Sequence, residues 1–193
     1  MGAGSAVLAL ALATRSPVVQ RWDDALERWM LTHRERVHGI ASIATLPGEK
    51  FVHPVLAALS AFVLVSMRPG DASRFIIPLA AASLGGIIAH HVVKFVYRRP
   101  RPEGALRRNK TEPAYPSGHT TNATSVLATS AYLLAREGLV PLPAGMLVVI
   151  AVVALTGASR VALGWHWGTD VLGGWLTGTA VAAGCVLLFG VLR

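Results

Sequence analysis

The stretch Ser159-Arg160-Val161-Ala162-Leu163-Gly164-Trp165-His166-Trp167-Gly168-Thr169-Asp170 separates two apolar runs, Ala144 to Ala158 before it and Asp170 to Leu192 after it. Read as the turn between two membrane helices, it sets a cation, an imidazole and a carboxylate at a span end. An ionisable group there is costly unless it has a partner, which marks Arg160 and Asp170 as functional. His166 and Asp170 are four apart at a helix start and share one face, so the carboxylate can orient one ring nitrogen while the other attacks.

The whole chain supports a membrane setting. Its 193 residues are 53% hydrophobic, with a mean hydropathy of +0.51, too apolar for an ordinary soluble globule. The net charge of +8 is carried between apolar runs rather than on a polar domain. Anionic lipid or phosphate is therefore the expected partner, and nucleic acid is not. The single cysteine, Cys185, lies within an apolar run and offers neither a disulfide nor a thiolate metal site.

Working outward, Phe75 to Tyr97 is long enough to cross with tilt, and its Gly85-Gly86 pair permits close helix contact. Phe51 to Met67 is a shorter span, ended by the turn Arg68-Pro69-Gly70-Asp71. His119 to Ala135, rich in Thr and Ser, suits a helix enclosed by others. Residues 3 to 14 are apolar but reach only ~18 Å as a helix, short of a ~30 Å core. No basic segment precedes them, which argues against a cleaved signal peptide. Residues 17 to 37 place Val18, Trp22, Leu26, Trp29, Met30, His33 and Val37 at helical spacing, with Asp23 and other charges mostly elsewhere on the wheel. That pattern predicts an amphipathic helix along the interface, broken at Thr45-Leu46-Pro47-Gly48. The expected fold is all-α: a polytopic transmembrane helical bundle of five clear spans plus a short N-terminal helix, about six helices, with the interfacial amphipathic helix beside them.

Two spans separate residues 94 to 119 from residues 159 to 170, so their polar groups meet on one side of the membrane. Three motifs converge there: Lys94-x6-Arg101-Pro102, Pro116-Ser117-Gly118-His119 and Ser159-Arg160-x5-His166-x3-Asp170. Ser117 is placed to cap the following helix, and Gly118 lets an anion approach the N–H groups at its positive end. The sum reads as phosphoryl transfer. Lys94, Arg101 and Arg160 hold non-bridging oxygens, His166 attacks phosphorus, and His119 protonates the departing oxygen. A metal route is disfavoured, because Asp170 and the loop residues Glu103 and Glu112 are the only acids near these motifs in sequence.

The three motifs resemble the tripartite signature of the type-2 phosphatidic acid phosphatases, or lipid phosphate phosphatases, with every signature position filled between residues 94 and 170. The resemblance implies a helical membrane bundle and metal-independent hydrolysis without cofactors. It also implies His166 as nucleophile, Asp170 as its partner and His119 as acid, with Lys94, Arg101, Ser117, Gly118 and Arg160 as phosphate ligands. No repeat or second domain is evident, so residues 1–193 are expected to form a single membrane-embedded phosphatase domain.

The expected substrate is a lipid bearing a terminal phosphate or diphosphate. Polyprenyl diphosphate, phosphatidylglycerophosphate, phosphatidate and a prenyl-linked sugar phosphate all fit, because the motifs read the phosphate and not the tail. A vanadate-dependent haloperoxidase shares a related cage but is soluble, and a non-catalytic anionic-lipid-binding membrane protein would not need His119, His166 and Asp170 together. His90 and His91, one turn before Lys94, are read as packing or hydrogen-bonding groups, and Trp165 and Trp167 as interfacial anchors. Arg98, Arg99, Arg107, Arg108 and Lys110 are read as attracting an anionic headgroup or contacting lipid phosphates. The site side carries fourteen of the eighteen Lys and Arg, which by the positive-inside rule points to the cytoplasm. Many members of the resembled family act on the outer side, and the expectation here is a multi-pass plasma-membrane protein with its site on the outer face.

Overall fold

A computed structural model describes residues 3–102 and 112–190. The loop cations Arg107, Arg108 and Lys110, and Glu103, lie outside the described residues. Within them the chain forms seven helices: α1 (Ala3–Ala13), α2 (Pro17–Ala44), α3 (Val52–Met67), α4 (Ala72–Val96), α5 (Gly118–Arg136), α6 (Leu142–Ala162) and α7 (Gly168–Gly190). A 3-10 turn, Leu46–Gly48, joins α2 to α3. The helix order matches the sequence reading, with α2 continuing beyond the amphipathic pattern of residues 17 to 37 as far as Ala44. Pro47 and Gly48 stop it at the expected place.

By length and composition, three helical stretches among the described residues can cross a membrane: Pro69–Val96, Leu142–Ala162 and Gly168–Phe189. Helices α1 and α3 are apolar but shorter. Helix α5 misses that apolar standard because it is enclosed by protein. It packs against α3, α4, α6 and α7 and against the 3-10 turn, and most of its residues from Thr120 to Leu133 are buried. A lipid-facing helix needs apolar side chains, whereas a helix at the bundle centre needs small ones. Several of its hydroxyls bond back along the helix: Thr124 Oγ1 donates to the Thr120 carbonyl at 2.7 Å and Thr129 Oγ1 to the Ser125 carbonyl at 2.8 Å. Gly174 and Gly178 of α7 lie directly against Thr120 and Thr124, and Gly86 of α4 lies against Ser125 and Asn122. These glycines let the helix backbones approach closely, as the Gly85-Gly86 pair suggested. Below them, Leu64, Phe75, Leu79, Val126 and Leu133 form the largest apolar cluster, at the far end from the polar motifs.

Helix α2 lies against α6, where Ala41 meets Ala162 and Leu163, with Met30, Val37 and Trp165 around them. Trp22 and Trp29 stay exposed, as an interfacial helix requires. Asp23 departs from the expected polar outer face: it is buried, and it points towards the start of α7.

Candidate active site

Three chain segments are brought together at one end of the bundle by three local devices. The first is the end of α4, where Lys94 sits in the last turn and Pro100 and Pro102 hold the following chain extended. The second is the start of α5, where Ser117 is the N-cap. Its Oγ accepts from the Thr120 N–H at 3.5 Å and from Thr120 Oγ1 at 3.0 Å. The third is the end of α6. Gly164 adopts φ 69°, with its N–H on the Val161 carbonyl at 2.8 Å and the Trp165 N–H on the Arg160 carbonyl at 2.9 Å. That is a Schellman ending, which needs the left-handed residue that glycine supplies. It turns Trp165, His166 and Trp167 back across the polar end.

Lys94, Arg101, Gly118, His119, Arg160 and His166 all line one cavity of about 1050 Å³. Glu49, Lys50, His90, His91, Arg98, Glu112 and Asn122 add to its polar wall, and Ile87, Val92 and Phe95 continue it along α4. Ser117 and Asp170 are fully enclosed behind that wall. The Ser117 N–H donates to the Asp170 carbonyl at 2.9 Å, which locks the start of α5 to the start of α7.

His166 is 3% exposed, and its Nδ1 lies 3.4 Å from Asp170 Oδ2. Burial pushes the imidazole well below its ordinary pKa, and Arg160, Arg101 and Lys94 push it the same way. A neutral ring whose Nδ1 proton faces Asp170 leaves Nε2 with a free lone pair. Asp170 Oδ2 also accepts the Trp167 N–H at 2.9 Å, and Oδ1 accepts Arg99 Nη1 at 2.8 Å.

Arg101 and Arg160 are fixed by protein contacts. Arg101 donates from Nη1 to the Trp165 carbonyl at 2.8 Å and from Nε to the Glu112 carbonyl at 3.0 Å, and Nη2 meets Glu112 Oε2 at 3.3 Å. Arg160 donates from Nη1 to Thr45 Oγ1 at 2.7 Å and lies 3.9 Å above the Trp165 ring. His119 Nε2 pairs with Glu49 Oε1 at 2.8 Å. That hydrogen bond, with the nearby charges of His119 and Arg160 and against a burial effect of the opposite sign, holds the Glu49 carboxyl down to about 2.

Several of these groups escaped the sequence reading. Arg99 was read as a headgroup attractor, yet it is tied inward to Asp170, Thr169 and Asp23. Glu49 and Asp23 add two carboxylates to a site whose neighbouring motifs suggested Asp170 and the loop residues Glu103 and Glu112. The inference against a metal from sequence proximity undercounted the acids for that reason, although among the described residues no group of three His, Cys, Asp or Glu side chains could hold one. Trp165 and Trp167 are built into the site rather than serving only as anchors, since Trp167 Nε1 donates to the Pro100 carbonyl at 3.0 Å. His90 behaves as read: its Nδ1 meets the Gly86 carbonyl at 2.8 Å, and its ring covers Gly118. The one available signal for Arg99 was its place inside Arg98-Arg99-Pro100-Arg101-Pro102. Asp23, Thr45 and Glu49 had no local signal.

Comparison with known proteins bears on the family and the fold. The model of the PAP2 superfamily matches residues 75–192. Phosphatidylglycerophosphatase B of Bacillus subtilis (strain 168) is 28% identical over 181 residues, covering 89% of this chain and 85% of that protein. Undecaprenyl-diphosphatase BcrC of the same organism is 26% identical over 147 residues, covering 71% and 72%. The crystal structure of the first transmembrane PAP2 type phosphatidylglycerolphosphate phosphatase from Bacillus subtilis shares the fold. It has a TM-score of 0.80 at 23% identity, over 99% of this chain and 96% of that one. With a family match over more than half its length and phosphatases among its relatives, this chain belongs to the PAP2 superfamily and is a membrane-embedded hydrolase of phosphoric esters.

Proposed function

We propose that the chain removes the terminal phosphate of a lipid phosphate or lipid diphosphate, without a metal, through a phosphohistidine on His166. The observation that carries this reading is that His166, His119 and the cations Lys94, Arg101 and Arg160 share one cavity. That cavity runs on past Ile87, Val92 and Phe95 of α4, a wall suited to an acyl or prenyl chain. The names of the two Bacillus relatives support phosphatidylglycerophosphate and undecaprenyl diphosphate as the first substrates to try.

In this mechanism Lys94, Arg101 and Arg160 hold the non-bridging oxygens, with the Gly118 backbone at the positive end of α5 and Ser117 fixing that turn. His166 Nε2 forms a bond to phosphorus, and the bond from phosphorus to the leaving oxygen breaks. His119 gives its proton to that oxygen, and Glu49 stands where it stabilises the protonated ring beforehand. Asp170 balances the positive charge that develops on His166. Water then attacks the phosphohistidine and gives its proton to His119, which releases phosphate and restores both histidines.

The whole chain acts as one domain in this reading, in the plasma membrane with the site on the outer face. The cation count on the site side points the other way. However, Arg99, Arg101 and Arg160 are consumed by buried contacts within the site, and such residues are poor reporters of topology. Phosphate release from a panel of prenyl and glycerolipid phosphates, with chelator present, tests the chemistry in wild type and His166→Ala. The expected result is chelator-resistant activity that disappears with the substitution. Activity that survives His166→Ala, or that vanishes with chelator, refutes the mechanism. Labelling of Lys50→Cys in intact cells by an impermeant maleimide tests the sidedness, and labelling only after lysis refutes the outer-face assignment.

A further inference from the structure

We infer that Arg99 and Asp23 are positioning residues for the His166–Asp170 pair, which makes the interfacial helix α2 a working part of the catalytic apparatus. The inference rests on the phosphohistidine reading above and extends it to residues outside the three motifs.

The geometry is that of a clamp. Arg99 Nη1 donates to Asp170 Oδ1 at 2.8 Å and to Thr169 Oγ1 at 2.6 Å, while Nη2 donates to Asp23 Oδ2 at 2.7 Å. Asp23 in turn accepts the Thr169 N–H on Oδ1 at 3.0 Å and the Thr169 hydroxyl on Oδ2 at 2.5 Å. It thus satisfies an amide at the start of α7 from a different helix, where a carboxylate also complements the positive end of the dipole. The side chains of Arg99, Asp23 and Asp170 are 9%, 3% and 0% exposed. A lysine could not reproduce this contact, because only the planar fork reaches two carboxylates in fixed directions.

Two consequences follow for His166. Arg99 occupies Asp170 Oδ1 and leaves Oδ2 for the Trp167 N–H and His166 Nδ1, so the carboxylate cannot rotate away from the imidazole. In charge terms, Asp23, Arg99 and Asp170 sum to one negative charge, which the imidazolium formed on phosphoryl transfer neutralises. Arg99 lies between the two carboxylates, and without it neither Asp170 Oδ1 nor Asp23 Oδ2 would keep its guanidinium partner in this buried site. Arg99 does this from behind the site. It faces a second pocket of about 330 Å³ with Asp23, Arg15 and Trp167, and it is absent from the wall of the catalytic cavity. It therefore acts on turnover rather than on phosphate binding, unlike Lys94, Arg101 and Arg160.

The test is steady-state kinetics on the full-length, detergent-solubilised protein, comparing wild type, Arg99→Met, Arg99→Lys, Asp23→Asn and His166→Ala, with inorganic phosphate as competitive inhibitor. Arg99→Met is expected to lower kcat about 10- to 100-fold, the range for outer residues that hold a working ligand or base. KM and the inhibition constant for phosphate should stay within about twofold. Arg99→Lys should restore part of kcat, and Asp23→Asn should lower it less than Arg99→Met does. Thermal unfolding of each variant identifies any that fail to fold, and Arg99→Lys, which keeps the charge and most of the volume, then carries the comparison. Wild-type kcat in Arg99→Lys and Asp23→Asn overturns the inference, as does a rise in KM with kcat unchanged. If those results accompany an inactive His166→Ala, the clamp alone is refuted. An active His166→Ala refutes the phosphohistidine reading and the clamp with it.

Discussion

Replacing Asp170 by Asn changes almost no volume, so its effect isolates charge and hydrogen-bond direction. In the native site Oδ2 lies 3.4 Å from His166 Nδ1. At an effective dielectric of ~20, unit charges at that distance attract by about 5 kcal/mol. This bounds what Asp170 contributes once His166 becomes an imidazolium, and the guanidinium of Arg99, already 2.8 Å from Oδ1, offsets part of it. A loss of about 3–4 kcal/mol in the transition state remains, or 10²- to 10³-fold in kcat. The amide adds a second fault. Asp170 accepts on both oxygens, so Asn must present its NH₂ either to Arg99 or to the Trp167 N–H and His166. If it faces His166, the preferred tautomer reverses and the proton moves to the attacking nitrogen. The assay is phosphate release from phosphatidylglycerophosphate or a polyprenyl diphosphate at saturating concentration, alongside thermal unfolding to establish that the variant is folded. A folded Asp170→Asn protein with kcat within about threefold of wild type would refute the assignment of Asp170 as partner of the nucleophile.

Three further outcomes are expected. A Cβ at Gly48 would overlap the His119 carbonyl, so Gly48→Ala should cost about 1–3 kcal/mol and lower both Tm and kcat. Gly39→Ala, with open space around it, should be neutral or slightly stabilising; equal Tm values for the two variants would contradict the close approach. Thr45→Val removes the hydroxyl that holds Arg160 Nη1 at 2.7 Å, a loss of about 1 kcal/mol. It should raise KM about fivefold with little change in kcat, and an unchanged KM would show that Arg160 needs no such support. For Glu49, a folded-state pKa of about 2 against an ordinary 4.5 means that its stabilising effect is complete above pH 4.5 and is lost as pH falls towards 2. The pair is partly exposed, so the stability gap between wild type and Glu49→Gln should be only about 1 kcal/mol. Unfolding measured from pH 6 to pH 2 should show that gap closing, and a gap that persists at pH 2 would show that the carboxylate charge is not its source.

The residues missed by sequence reading share a physical cause. Lys94, Ser117, Gly118, His119, Arg160, His166 and Asp170 lie at helix ends or in short turns, and Arg101 between two prolines, where local rules apply: capping, the left-handed glycine, and a charge beside an apolar span. Asp23, Thr45 and Glu49 act on Arg99, Arg160 and His119 from far away in the chain, across contacts that exist only once α2 packs against α6 and the 3-10 turn packs against α5. All three lie outside the matched family region. Asp23 shows the difficulty well. On a helical wheel it belongs with the solvated charges, and only the meeting of α2 with the start of α7 makes it a buried ligand.

The sequence by itself determined a helical membrane bundle, its breaks, and the convergence of three motifs on one side, because apolar length and turn chemistry are local properties. It also identified α5 as an inner helix from its threonines and serines. Only the tertiary structure decided which acids face which cations. Asp23 and Asp170 both meet Arg99, which lies between α4 and α5, and no periodicity along one helix encodes a partner elsewhere in the fold.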